Sequence, residues 1–149
     1  MALSQDKRID KLLLKLISVN EKEFHSDNFY EKSFMFSITI GVDKNGTVDT
    51  VITSDNGDKE LNQLVDFNKI RKGLKGSNIY FKPHKNEVLV LLVSVIRGDY
   101  DYLKINNGNQ YVRDWRAIIK NSVEIKIKDR PQIFLPPILI EAHGKGIKN

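Results

Sequence analysis

Residues 33–42 alternate without a break: Phe34, Phe36, Ile38, Ile40 and Val42 fall on one parity, Met35, Ser37, Thr39 and Gly41 on the other. A period of two sustained over this length is the pleat of a half-buried β-strand. A helix would scatter the same side chains around its circumference. Asp43-Lys44-Asn45-Gly46 follows at once. Asn-Gly between two apolar runs signals a hairpin, because both residues tolerate positive φ. Residues 47–54 return as a second strand carrying Val48, Val51 and Ile52. Their mixed parity implies a bulge, or a strand covered on both faces.

An apolar hairpin face needs cover, and the flanking segments offer helices. Ile9, Leu12, Leu13, Leu16 and Ile17 recur at helical spacing within residues 5–20, with Ser4 placed to cap the first turn and Asp6 near the positive end of the dipole. The stripe predicts a helix docked on the rest of the domain; a helix lying on a membrane surface is the sharper alternative. Asp58 is placed to cap a second helix reaching about Lys75, through Leu61, Leu64, Val65, Phe67, Ile70 and Leu74. Gly76 would supply its left-handed C-terminal turn.

Ile79 to Pro83 reads as extended, and the apolar, β-branched residues 87–97 as a central strand. Val112, Trp115, Ile118 and Ile119 predict a third helix near 110–122, before alternation at Val123, Ile125 and Ile127. Pro131 and Pro136-Pro137 bracket Ile133-Phe134-Leu135. Prolines cannot donate to a ladder, so this piece belongs at a sheet edge or in an extended strap. The expected fold is α+β: a mainly antiparallel sheet with two or three helices packed on it. The expected core holds Phe36, Ile38, Ile40, Leu61, Leu64, Val90, Leu92 and Trp115.

At 149 residues, the chain suits a single domain over 1–149, comprising an N-terminal helix and connection (1–32), a centre (34–97) and a C-terminal extension (98–149). It contains no cysteine, which excludes disulfides, zinc–cysteine sites and thiol catalysis. The longest apolar run, Val88 to Val93 with an extension to Ile96, falls far short of the roughly 20 residues that a membrane span requires. A chain from which a signal peptide had been removed would be periplasmic or secreted; otherwise it would be cytoplasmic.

Candidate chemistry is sparse. His25, His84 and His143 stand in no metal-binding spacing, so neither a metal nor a cofactor is expected. Ser54-Asp55-Asn56 and Ser4-x-x-Lys7 copy two β-lactamase motifs, but the third is absent. Gly73-x-x-Gly76 matches a nucleic-acid clamp yet ends a helix, and Arg97-Gly98-Asp99 needs only a turn to explain it. Asp99 and Asp101 flank Tyr100 as the one acidic pair that alternation puts on a single face. No catalytic residues are assigned.

The net charge of +5 is unevenly spread. Between Asp66 and Glu87 no acid occurs, while Lys69, Arg71, Lys72, Lys75, Lys82 and Lys85 form a candidate basic patch interleaved with Tyr80 and Phe81.

The centre has a characteristic order: FMFSITIGVDKNGTVDTVITS, then LNQLVDFNKIRKGLKG, then IYFKPHKNEVLVLLVSV. Over residues 34–97 this order of strand, Asp-x-x-Gly turn, strand, helix, aromatic-x-Pro and strand resembles the TonB C-terminal-type domain of bacterial envelope proteins. The matching positions are Val42, Asp43, Gly46, Val48, Val51, Phe81, Pro83 and the strand from Val88 to Val95. The resemblance implies a β-hairpin–helix–strand centre with a helix on one sheet face and at least one exposed edge. Such an edge can recruit a partner segment through main-chain hydrogen bonds. The leading expectation is therefore a non-catalytic protein-interaction module of the bacterial envelope with a protein partner. A basic single-stranded nucleic-acid-binding protein ranks second, and a small hydrolase without a recognisable motif third.

Overall fold

The computed structural model describes residues 7–29, 32–54, 59–98, 113–118 and 130–143. Strand β1 (Ser33–Val42) is buried along its whole length, so the alternating run has cover on both faces. β1 pairs antiparallel with β2 (Val48–Thr53) on one side and with β3 (Val88–Gly98) on the other. Two short strands, β4 (Gln132–Phe134) and β5 (Ile138–His143), pair parallel to successive stretches of β3. The result is a mixed five-stranded sheet, and the architecture is α+β as expected.

The hairpin obeys a different turn chemistry from the one its Asn-Gly suggests. Gly46 alone takes positive φ, at 81°, while Asp43 N donates to Thr47 O at 2.9 Å and Gly46 N to Asp43 O at 3.1 Å. Asp43 Oδ1 accepts the main-chain N–H groups of Asn45 and Thr47 at 2.8 and 2.9 Å. This is a three-residue loop ending in a left-handed glycine, for which Asn45 needs no unusual conformation. The expected bulge lies close by: Gly41 faces Thr50 but Val42 faces Val48, leaving Asp49 as the extra residue of β2.

Helix α1 (Lys7–Leu16) buries Ile9, Leu13 and Leu16. Helix α2 (Glu21–Phe24) is a single capped turn, with Asn20 accepting from Glu23 N. The expected second helix is in fact two, α3 (Lys59–Leu64) and α4 (Phe67–Lys75). The break has a local cause. Val65 forms an isolated bridge with Val19, Asn20 N donates to Leu64 O at 2.8 Å, and Asp66 caps the new helix by accepting from Lys69 N at 3.0 Å.

Gly76 ends α4 at φ −85°, outside the left-handed region anticipated for it. The hydroxyl of Ser77 donates to Gly73 O at 2.6 Å and satisfies an end carbonyl that a left-handed cap would otherwise serve.

Residues 79–83, expected to be extended, are helical: α5 (Asn78–Phe81) runs into a 3-10 turn at Lys82–His84. Tertiary demands outweigh the β preference of Ile79, Tyr80 and Phe81. The turn drops Phe81 fully into the core and brings Asn78 Oδ1 to within 3.0 Å of Val48 N, its donor at the start of β2. Pro83 sits in the first 3-10 turn, where its missing N–H costs nothing. A sixth helix, α6, occupies residues 113–118.

Antiparallel register fixes which residues form the core. Phe34, Phe36, Ile38 and Ile40 lie opposite Val95, Val93, Leu91 and Leu89, and all eight are buried with Ile9, Leu61, Leu64, Ile70 and Leu74. Phe36 meets Phe67 edge-on at 5.0 Å between ring centroids. Three expected core residues are displaced. Val90 and Leu92 lie on the other parity of β3, opposite Thr39 and Ser37, and are only half-buried. Trp115 is exposed, because α6 buries Asp114, Ala117 and Ile118 instead.

Candidate functional site

The edges of the sheet are treated very differently. On the β3 side, β4 and β5 act as one strand interrupted at Leu135-Pro136-Pro137. Val90 pairs with Phe134 and Val93 with Ile138, so the outer strand carries one extra residue. Two adjacent prolines at that bulge deny an incoming strand a continuous row of donors. The segment is anchored by Leu135 N donating to Val90 O and Val88 N to Pro131 O, each at 2.9 Å.

On the other side, Ser54 N donates to Ser37 O, which fixes the even-numbered residues of β2 as those bonded to β1. Alternation along the ladder then turns the main-chain N–H and C=O of Val51 outward, and these groups meet no partner among the described residues. Side chains close the ladder where β2 stops. Ser54 Oγ accepts from Ser37 N at 2.7 Å, and Asp114 Oδ2 on α6 accepts from Met35 N at 2.9 Å. The small residues Ser33, Ser37 and Thr39 on this face leave room for α6 to approach.

The start of β2 is held by charge. Arg130 donates to both carboxylate oxygens of Asp49, at 3.0 and 2.7 Å. The guanidinium holds the Asp49 carboxyl below its ordinary value, first by hydrogen bonding and then by its charge, with partial burial opposing.

The candidate basic residues do not form one surface. Lys72 and Lys75 lie exposed on α4 beside Lys69, whose Nζ donates to Ser18 Oγ at 3.0 Å. Arg71 is turned to the sheet, donating to Thr53 Oγ1 at 2.7 Å and Asn68 Oδ1 at 2.8 Å. Lys82 and Lys85 are exposed on the 3-10 turn and the residue after it, with the Lys82 backbone against Gly46. Phe81 is fully buried and only Tyr80 keeps partial exposure, so the aromatic interleaving read from the sequence does not reach the surface.

His25 pairs with Glu21 at 3.1 Å and His84 with Glu87 at 3.0 Å. Among the described residues, no three His, Cys, Asp or Glu side chains converge as a metal site would require. Asp99, Tyr100 and Asp101 lie outside the described residues, as do Ser4, Asp55, Asn56 and the alternating stretch at Val123, Ile125 and Ile127. A cleft of about 520 Å³ opens between the Ser18–Asn20 connection and the α3–α4 junction. Amides line it, including Asn20, Asn62, Gln63 and Asn68, with Lys69 and Arg71 beside them.

No protein-family model matches this chain, and no curated protein or solved structure matches it either. Its geometry has to speak for itself.

Two features escape the sequence. The edge role of Asp114 has no local signal, because its acceptor role depends on Met35, far away along the chain. The cleft has a partial signal in Asp66, a capping residue inside an apolar periodicity that otherwise reads as one helix.

Proposed function

We propose that this chain is a non-catalytic interaction module of the bacterial envelope that takes an extended protein segment onto the outer edge of β2. The observation that carries this reading is the outward main chain of Val51, at the centre of a strand whose inner side is fully engaged by β1. The opposite edge is broken by Pro136-Pro137, so the two edges are not equivalent templates. A helix on one sheet face and at least one exposed edge are also what the TonB C-terminal-type resemblance of residues 34–97 implies, and the envelope location rests on that resemblance. Nucleic-acid binding is a weaker reading because burial of Phe81 removes a stacking surface.

The test uses Val51→Pro, which deletes the outward N–H while leaving the β1 ladder intact, since proline is tolerated on an edge with its nitrogen facing away. Val51→Ala is the control for lost side-chain packing. Against a panel of synthetic β-branched peptides, a binder should slow hydrogen exchange at the Val51 amide. It should bind Val51→Pro about fivefold to tenfold more weakly than Val51→Ala, the equivalent of one main-chain hydrogen bond. A binder that protects other amides and ignores Val51→Pro refutes the edge.

A further inference from the structure

Helices α1 and α4 pack against each other and share one core, and the side of each that turns away from it is basic. They lie against each other: Leu16 fills the space that a Cβ at Gly73 would occupy, and Lys69 reaches Ser18 at 3.0 Å. Both send their apolar residues into one core, so their opposite sides face solvent together. The exposed positions include Lys7, Lys11 and Lys15 on α1 and Lys69, Lys72 and Lys75 on α4, and no acidic residue is exposed within either helix. Asp10 is half-buried, while Asp66 and Glu21 stand at one end of the layer. Lys69 Nζ bonds the Ser18 hydroxyl, and no carboxylate pairs with it among the described residues.

Two large aliphatic side chains stand out on these elements. Leu14 on α1 is 57% exposed and Ile79 on α5, which touches α1, is 69% exposed. Solvated lysines alone would be an ordinary helix surface. Lysines set around outward aliphatics match an anionic bilayer, whose phosphates attract the amines while its acyl boundary accepts the apolar tips.

We infer that the outer face of α1 and α4, with Leu14 and Ile79, docks this domain onto the surface of anionic phospholipid membranes. Nucleic acid would answer to the same charge, but it gains little from exposed leucine and isoleucine and wants an aromatic platform; α1 and α4 expose no aromatic side chain, and Tyr80 on α5 is half-buried. The docking is peripheral: no helix among the described residues is long and apolar enough to cross a membrane. It uses a different surface from the β2 edge, so either can hold without the other.

Vesicle flotation tests this with the whole chain. At low salt it should float with phosphatidylglycerol vesicles and not with phosphatidylcholine vesicles, and added salt should release it. Substituting Lys11→Gln, Lys15→Gln and Lys72→Gln together should weaken partitioning by about a hundredfold, at roughly fivefold per lysine. Leu14→Ser with Ile79→Ser should weaken it while leaving the salt dependence in place. All five positions are exposed, and circular dichroism checks that the fold persists. Failure to float with anionic vesicles overturns the inference, as does floating that survives the lysine substitutions. Oligonucleotide binding that is tighter than vesicle binding and indifferent to the Leu14 and Ile79 changes also overturns it, assigning the face to nucleic acid.

Discussion

At Gly73 helix propensity and packing pull in opposite directions. Glycine inside a helix costs about 1 kcal/mol relative to alanine, yet here the missing Cβ is what lets Leu16 pack against α4. Gly73→Ala gains that propensity and loses about 1–3 kcal/mol to overpacking. The net expectation is a destabilisation of about 1 kcal/mol in urea unfolding. In a Leu16→Ala background the clash is gone, and Gly73→Ala should stabilise by a similar amount. Additive effects in this cycle would show that the two residues do not share the space. Local chemistry explains why some residues were legible in the sequence and this one was not. Asp43 and Gly46 do their work within one turn, so their spacing announces it. Gly73 is defined by a neighbour on another helix, and the sequence shows it only as the first glycine of a Gly-x-x-Gly at a helix end.

At the scale of elements, apolar patterning located β1, β2, β3 and the first helix but misread residues 79–83 as extended, and junctions and partners set what it missed. The run from Leu61 to Leu74 is apolar at helical spacing on both sides of Asp66, so the break appears only once Val19 pairs with Val65. On β3 every residue from Val88 to Ile96 except Ser94 is apolar, so parity carries no information until the β1 register picks Leu89, Leu91, Val93 and Val95 for the core. Helix α6 gives the clearest case of an element tied to a strand far away along the chain. Its Asp114 takes the Met35 N–H just where β2 no longer reaches. Asp114→Ala strands that buried donor and should cost about 1–3 kcal/mol, with faster hydrogen exchange at the Met35 amide. Asp114→Asn keeps an acceptor oxygen and should lose less. Equal losses for both variants would mean that the carboxylate charge, and not the hydrogen bond, ties α6 to the sheet.

For the molecule as a whole, the question is what holds β2, whose outward main chain at Val51 meets no partner among the described residues, in register with the far side of the sheet. β1 and β3 separate β2 from β4, yet Arg130, just ahead of β4, makes a two-pronged ion pair with Asp49 in the β2 bulge. The pair spans the sheet at the end where β2 begins. Both side chains keep some solvent contact, so screening holds the value of the pair to about 0.5–1 kcal/mol. Its pH dependence follows from the lowered Asp49 pKa. The folded protein gives up this proton at lower pH than the unfolded chain, where the carboxyl titrates near its ordinary value of 3.8. The contribution is therefore complete above that value and fades as the pH falls through the lower folded one. Arg130→Gln should reduce stability at neutral pH by about 0.5–1 kcal/mol and approach the parent protein as acid is added. In an Asp49→Asn background it should have little effect at any pH. A stability gap that stays constant through the carboxylate range would mean that Arg130 steadies β2 by packing its aliphatic stem, and that the sheet is not laced by charge at this end.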